Sequence, residues 1–367
     1  MISINAPQIG EEEIEAAVKV LKSGVLTSGL GAGPKVTEFE KAFANFVKAK
    51  HGIATNSGTA ALHSALTAAG VKTGDEVILP SFTFVATAEV ILFNRAKPVF
   101  VDINPDTYTI SPEAVRKAVT RKTKAIMPVD LYGMPADVQS IREVADKHGL
   151  KIIEDAAQAH GATFKGKPPG TLADAACWSF YGSKNMTTGE GGMITTNSDE
   201  IAEMPRYIRS HGEKKKYQSL MLGHNYHMPE IAAAIGIEQL KKLPKFVARR
   251  RQNAKRLTEN LEKAKNLKLP SEPEGFKCSW YLYTVQLKKA KEKERDAIVE
   301  KLKQKGIDAF ICYVNPIHLM PYYRKFGRYR LPETEKAAER VFSLPVHPGV
   351  TAKQIEYISA SVLQLTE

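Results

Sequence analysis

The amino-acid sequence predicts an α/β fold in which helices flank a mainly parallel central sheet. Short apolar segments alternate with segments of helical period through the N-terminal half of the chain. Parallel strands need long crossover connections, which helices usually supply, so this alternation indicates a parallel sheet covered on both faces. A composition shift at residues 267–277, with Pro270, Pro273 and Gly275, indicates a linker into a smaller C-terminal α+β domain. We therefore predict a large domain at residues 1–244, with an N-terminal arm, and a small C-terminal domain at residues 245–367.

The predicted elements follow the apolar pattern in chain order. A first helix covers residues 11–22, where Ile14, Val18 and Leu21 recur at helical spacing before Gly24. Further helices are predicted at residues 57–69, 111–120, 137–148, 228–243, 245–264, 292–305 and 351–365, and another begins within residues 80–87. Strands are predicted at residues 52–55, 76–79, 98–101, 124–129, 151–154, 176–180, 193–196 and 280–287.

Charge and cysteine content limit the class of protein. The chain has 367 residues and a formal net charge of +12, from 52 Lys and Arg against 40 Asp and Glu. Basic and acidic residues interleave, as at residues 288–295, and neither zinc-finger spacing nor an RNA-recognition signature is present, so no nucleic-acid partner is expected. Cys177, Cys278 and Cys312 form no Cys-x-x-Cys pair, which indicates buried free thiols in a reducing compartment. No metal site is expected.

The N-terminal sequence and the hydropathy of the chain lead to an expectation about its location. No secretory signal is visible at the N-terminus, and no stretch approaches the roughly 18 apolar residues of a membrane span. We expect a cytoplasmic protein without a membrane partner.

The strongest chemical signal lies at residues 179–192. Lys184 leaves a predicted strand and precedes the glycine-rich turn 189–192, while Asp155 ends an earlier strand. A lysine amine can link covalently to an aldehyde cofactor, a carboxylate can hold the proton on a pyridine nitrogen, and glycines let backbone approach a flat ring. This combination predicts a site for pyridoxal 5'-phosphate (PLP). Taken alone, Asp155 could equally be a helix N-cap.

Other candidate residues surround this pair. Gly58 and Thr59 lie at a strand-to-helix turn, where free N–H groups favour an anion, although a simple N-cap explains the local sequence as well. Ser179 is a second candidate phosphate donor. Gln158 could reach the hydroxyl of the cofactor ring or lie in an exposed loop. An aromatic residue in the segment 80–87 could stack on the ring, although core packing is the more common fate of phenylalanine.

Together these motifs resemble those of the DegT/StrS-type sugar aminotransferases, fold-type-I PLP enzymes that act on keto sugars of nucleotide sugars. The resemblance runs nearly from end to end of the chain. It rests on residues 56–62, 80–84, 154–161, 179–192, 223–228 and 344–349.

The resemblance implies a role for each matching position. Lys184 resembles the Schiff-base lysine, Asp155 the partner of the pyridine nitrogen, and Phe84 the stacking aromatic. The remaining cofactor contacts are the phosphate holders Gly58, Thr59 and Ser179 and the ring-hydroxyl contact Gln158.

Two further positions concern the partner subunit and the substrate. Asn225 resembles a residue that reaches the phosphate of the neighbouring subunit, which implies a homodimer with shared active sites. His318 lies in a loop that approaches the sugar, and His227 stands where many members have arginine or another polar residue.

The implied activity is a ping-pong transamination. An amino group would pass from L-glutamate to a keto-deoxy sugar of a nucleoside-diphosphate sugar, and the pattern Asn225-Tyr226-x-Met228 favours C4 over C3. The basic residues within 214–216 and 324–330 are candidates to bind the diphosphate; alternatively, these segments are solvated loops without a ligand. Three alternatives stay open: a cyclitol ketone as substrate, a PLP-dependent sugar dehydratase, against which Lys184 argues because histidine replaces the lysine there, and a non-catalytic regulatory protein, which would have a degraded site.

Overall fold

The structure is a computed structural model that describes residues 1–366. Its strands are β1 (His51–Thr55), β2 (Glu76–Pro80), β3 (Lys97–Val101), β4 (Thr123–Ile126), β5 (Lys151–Asp155), β6 (Thr163–Phe164), β7 (Ala175–Ser179), β8 (Gly192–Thr196), β9 (Glu213–Lys215), β10 (Gln218–Ser219), β11 (Leu267–Lys268), β12 (Phe276–Lys277), β13 (Tyr283–Leu287) and β14 (Val341–Leu344). Its helices are α1 (Glu11–Ser23), α2 (Pro34–Phe46), α3 (Gly58–Ala68), α4 (Ala86–Phe93), α5 (Pro112–Ala118), α6 (Val138–His148), α7 (Asp199–Ile208), α8 (Glu230–Leu261), α9 (Glu292–Gln304), α10 (Pro332–Arg340) and α11 (Ala352–Thr366). Short 3-10 turns lie at Leu131–Gly133, Ile317–Leu319 and Arg324–Phe326.

A seven-stranded sheet organises the fold, in the order β1-β8-β7-β5-β4-β2-β3. Strand β8 is antiparallel to both of its neighbours, and the other pairings are parallel. The prediction of a mainly parallel sheet is therefore confirmed.

Helices pack against apolar strand residues on both faces of this sheet. Val77 and Ile153 pack with residues of α3, α4 and α7 on one face. Their neighbours Ile78 and Ile152 pack with residues of α5 and α6 on the other. Both faces are apolar because successive strand residues point to opposite sides and helices cover each side.

Helix α2 has no counterpart among the predicted elements. Pro34 starts it, and Phe39 and Phe43 lie fully buried against Trp178 and Phe180. Proline is favoured in the first helical turn, where its missing N–H costs nothing.

Helix α8 corrects a predicted break. The sequence predicts two helices, at 228–243 and 245–264, because proline removes a helical hydrogen bond. The structure has one helix of 32 residues that continues through Pro244. Its N-terminal part packs on the core of the large sheet and its C-terminal part on a second core, which stabilises both sides of the proline. The boundary predicted after residue 244 falls inside this helix and stays a prediction.

The C-terminal part of the chain has its own antiparallel sheet, in the order β11-β13-β14, covered by α9 and α11. Helix α10 and strand β14 were not predicted. Strand β13 starts at Tyr283 rather than residue 280, since Trp280 has a φ of 52° that no strand accommodates. The predicted linker holds β12, which pairs with β6.

Candidate active site

Glu154 and Asp155 end β5, and their side chains point to opposite faces of the sheet because successive strand residues alternate. Asp155 shares the parity of Ile153 and therefore lies on the side of α4. There Thr87 Oγ1 donates a hydrogen bond of 2.9 Å to Asp155 Oδ2, and the backbone N–H of Ala157 donates one of 3.2 Å to Oδ1. No α-helix starts at Ala156 in the described chain, so the N-cap alternative does not apply.

The charge of Asp155 depends on these partners. The side chain is 5% exposed, and burial raises the pKa of its carboxyl group. The hydrogen bonds from Thr87 and Ala157 and the positive charge of Lys184 oppose that shift. An ionised carboxylate with a hydrogen-bond donor and a nearby cation is suited to hold a proton on a ring nitrogen.

Lys184 follows β7, the strand next to β5. Its backbone N–H donates a hydrogen bond of 2.9 Å to the carbonyl of Tyr181. Its Nζ lies 4.8 Å from the centroid of the Tyr281 ring, and the Tyr281 hydroxyl lies 2.8 Å from Ser183 Oγ. Lys184 is half-buried, and its positive charge is close enough to Asp155 to lower the pKa of that carboxyl group.

The turn between β1 and α3 has the geometry of an anion site. Ser57 caps α3 by accepting a hydrogen bond of 3.1 Å from the backbone N–H of Ala60. Gly58 and Thr59 occupy the first turn of α3, where backbone N–H groups point out of the helix. A Cβ on Gly58 would lie 2.8 Å from Ser179 Cβ, so the structure brings Gly58, Thr59 and Ser179 together.

Phe84 and Gln158 lie on the same edge. Phe84 is 57% exposed, whereas Phe82 is fully buried, so the segment between β2 and α4 presents one aromatic ring to the outside. Gln158 is buried rather than in an exposed loop. It accepts a hydrogen bond of 2.7 Å from the N–H of Tyr132 and donates one of 3.1 Å to the hydroxyl of Tyr313.

These residues fit PLP as a set. Asp155 and Ser179 are the last residues of β5 and β7, and the segments that carry Gly58 and Phe84 follow β1 and β2. Ligands of α/β sheets bind at this carboxyl edge. An anion-binding turn, a buried carboxylate, an exposed aromatic ring and a lysine amine match the phosphate, pyridine nitrogen, ring face and aldehyde of the cofactor.

Asn225 is exposed and lies beside the anion-binding turn of its own chain. Its carbonyl accepts a hydrogen bond of 3.3 Å from Asn56 Nδ2, and the next residue, Tyr226, accepts one of 2.9 Å from the backbone N–H of Asn56. The predicted reach to a neighbouring subunit stays a prediction. His227 is half-buried, and burial lowers its pKa.

His318, which the resemblance places in a loop near the sugar, is buried in this structure. It is 3% exposed, and both of its ring nitrogens have protein partners, Ser81 at Nδ1 and Glu335 at Nε2. In this conformation the imidazole has no free nitrogen for a substrate.

Sequence reasoning missed Thr87, Tyr281 and Tyr313. Thr87 is the last residue of the segment 80–87 that the sequence predicts to begin a helix, and its spacing of one helical turn from Thr83 could have drawn attention to it. The sequence around Tyr281 and Tyr313 contains no motif that would indicate contact with Lys184 or Gln158.

Within residues 1–366, no helix has the length and apolar composition needed to span a membrane. The same residues contain no group of three or more His, Cys, Asp or Glu side chains arranged to hold a metal ion. All three cysteines are free and buried, as predicted.

Comparison with known proteins places the chain in a family. The model of the DegT/DnrJ/EryC1/StrS aminotransferase family matches residues 7–363. GDP-perosamine synthase of Caulobacter vibrioides is 38% identical over 367 residues, which cover 99% of this chain and 98% of that protein. A pleiotropic regulatory protein of Geobacillus stearothermophilus is 43% identical, with 95% of this chain and 93% of that protein covered. A Streptococcus pneumoniae protein solved in its PLP-form superposes with a TM-score of 0.93 at 29% identity, covering 100% of this chain and 98% of that one.

The fold and the site define a fold-type-I, PLP-dependent transferase. The chain belongs to the DegT/DnrJ/EryC1/StrS family and is a PLP-dependent aminotransferase of the sugar aminotransferase group.

Proposed function

We propose that the enzyme transfers an amino group from L-glutamate to a keto-deoxy sugar of a nucleoside-diphosphate sugar, with C4 as the favoured position. The observation that carries this proposal is the conjunction of Lys184, Asp155 and the Gly58–Ser179 contact at one edge of the sheet. Similarity to GDP-perosamine synthase supports a nucleotide sugar as the acceptor.

Each residue would have a separate task. Lys184 would hold the cofactor through its Nζ and, when free, carry a proton to and from the reacting carbon. Asp155 would hold the proton on the pyridine nitrogen, with Thr87 fixing its Oδ2. When bound, PLP supplies the electron sink that makes the proton at that carbon removable.

The other site residues would orient the reactants. Gly58, Thr59 and Ser179 would bind the phosphate, Phe84 would cover one face of the ring, and Gln158 would approach its hydroxyl. The exposed cations Lys214, Lys215 and Lys216 on the β9–β10 hairpin are candidates for the diphosphate of the substrate. We also propose a homodimer in which Asn225 completes the site of the partner subunit.

A screen of keto-sugar nucleotides tests the proposal. Purified enzyme with PLP and L-glutamate is incubated with 3-keto and 4-keto sugars of several nucleotides and with a cyclitol ketone, and products are read by mass spectrometry. We expect an amino sugar and 2-oxoglutarate in equal amounts, and no product from Lys184→Ala. Lys255→Ala, which removes an exposed lysine on α8, is the matched control and should keep full activity.

Other outcomes would identify the alternatives. Loss of water without transfer of nitrogen would indicate a dehydratase. Amination of the cyclitol ketone alone would show that the acceptor is a cyclitol and not a nucleotide sugar. A yellow, cofactor-loaded protein that turns over no acceptor would favour a regulatory role.

A further inference from the structure

Ser81 and His318 connect the turn after β2 to the C-terminal half of the chain. Ser81 Oγ lies 2.7 Å from His318 Nδ1 and accepts a hydrogen bond of 3.0 Å from the His318 backbone N–H. The carbonyl of Ser81 accepts a third bond, of 3.0 Å, from the N–H of Ile317. Ser81 is fully buried and His318 nearly so. Two segments 237 residues apart are therefore joined by three hydrogen bonds in a place that water does not reach.

The hydrogen-bond partners fix the proton on the imidazole. Glu335 Oε1 lies 3.3 Å from His318 Nε2 and also accepts a bond of 3.0 Å from the N–H of Leu331. A carboxylate only accepts, so Nε2 carries the proton and Nδ1 accepts from the Ser81 hydroxyl. Burial lowers the pKa of His318, which agrees with a neutral ring, although Glu335 and then Asp102 oppose that shift.

The anchored turn leads directly to the active site. Phe84 lies three residues after Ser81, and Thr83 Oγ1 lies 3.1 Å from Thr87 Oγ1, which in turn donates to Asp155. A displacement of Ser81 would therefore move both the exposed ring and the donor that fixes the carboxylate.

Glu335, the other partner of the His318 imidazole, lies on a helix that is itself fixed to the sheet. Glu335 lies in the first turns of α10, and Asp102, just after β3, accepts bonds of 3.0 and 2.8 Å from the N–H groups of Glu333 and Thr334 at the start of that helix. The imidazole thus joins the turn that carries Phe84 to an element fixed to the edge of the sheet.

We propose that His318 is a positioning residue: through Ser81 it fixes the turn that carries Phe84 and leads to Thr87 on α4, and Glu335 orients it for that task. The inference rests on the proposed role of Phe84 against the cofactor ring. It replaces the sugar-binding role that the sequence suggests for His318.

Two substitutions separate the contacts of the imidazole. The Asn carbonyl in His318→Asn stands near the place of Nδ1, so it keeps an acceptor for Ser81 and loses Glu335. The amide in His318→Gln can reach Glu335 and loses the acceptor for Ser81. Ser81→Ala removes the same contact from the other side, and His148→Gln, at the exposed end of α6, is the matched control.

The first readout is the holoenzyme. We expect His318→Gln and Ser81→Ala to lower kcat about 10-fold or more, and to change the circular dichroism of the bound cofactor, with the KM of the sugar unchanged within about 2-fold. His318→Asn should keep most of the activity. A rise in the KM of the sugar with unchanged kcat and unchanged dichroism would show that His318 contacts the substrate, and would overturn the proposal.

The second readout needs no cofactor. Hydrogen exchange in the apoprotein should be faster at residues 82–87 in His318→Gln and Ser81→Ala, while α6 keeps its protection. If the wild type binds no PLP, the proposed function fails, but this exchange result still tests the connection. Unchanged exchange at residues 82–87 in both variants would refute the positioning role whatever the activity shows.

Discussion

Thr87 Oγ1 donates a hydrogen bond of 2.9 Å to Asp155 Oδ2, and both side chains are buried at the carboxyl edge of the sheet. Burial alone raises the pKa of Asp155, so this bond, the N–H of Ala157 and the charge of Lys184 are what favour the anion. The activity proposed for Asp155 therefore depends on α4 as much as on β5.

Asp155→Asn should retain some PLP and lose most transamination, on the order of 100-fold in kcat, because a neutral amide cannot hold the pyridinium proton with a negative charge. Steady-state kinetics and the absorbance of bound cofactor measure both effects. Asp146→Asn, an exposed carboxylate on α6, is the control. Near-normal turnover in Asp155→Asn would mean that the carboxylate is structural.

The preceding residue, Glu154, points to the opposite face, where its carboxyl group and that of Asp130 influence each other's pKa. Both carboxyl groups are buried, and burial is the main reason that their pKa values rise, to about 7 for Glu154 and well above the usual range for Asp130. Asp130 Oδ1 accepts a bond of 2.8 Å from the N–H of Ala136. Burial and the neighbouring charge of Glu154 therefore favour the protonated form of Asp130.

Asp130→Asn should therefore become more stable relative to the wild type as the pH rises from 5 to 8. The folded wild type keeps a proton that the unfolded chain releases near its lower pKa, so its stability falls with rising pH until the folded pKa is passed. The asparagine does not titrate, and the difference in the free energy of unfolding should grow by up to about 1.4 kcal/mol per pH unit. Urea unfolding at several pH values measures it, with Asp146→Asn as the control. A constant difference would show that Asp130 is ionised in the fold.

Gly58→Ala should weaken PLP binding about 10-fold or more. A Cβ at this position would lie 2.8 Å from Ser179 Cβ and push apart the two segments proposed to hold the phosphate. Gly182→Ala is a matched control in the same region, because no atom beyond its two chain neighbours lies within 4 Å of the added Cβ. Equal affinities of the two variants, measured by cofactor titration, would separate Gly58 from the phosphate site.

The sequence predicted the sheet well because strands depend on local patterns, and the same patterns place the predicted cofactor residues at one edge of it. Apolar strands such as β5 and the segments that follow them are continuous in the chain, so Asp155, Ser179 and Gly58 could be placed at one edge of a parallel sheet. The continuity of α8 through Pro244 could not be predicted, since two separate cores stabilise it. The burial of His318 depends likewise on Ser81, which lies far away in the chain.

The last prediction concerns the proposed sharing of the site between two subunits. Asn225→Ala and Lys184→Ala should each be impaired as pure dimers, and mixing them should restore activity. A mixed dimer would then contain one site with both lesions and one with neither, so random exchange of equal amounts should give about a quarter of wild-type activity.

The experiment separates two possibilities, because the backbone around Asn225 also contacts Asn56, next to the anion-binding turn of its own chain. If the Asn225 side chain serves its own subunit, every mixed dimer has one lesion at each site and mixing recovers nothing. Subunit exchange is verified with a mass-tagged chain, and Asn197→Ala, which removes a side chain that contacts the N–H of Lys50, controls for the loss of an amide elsewhere. Activity that stays at the level of the separate variants after proven exchange would assign Asn225 to the site of its own chain and remove the main argument for a shared site.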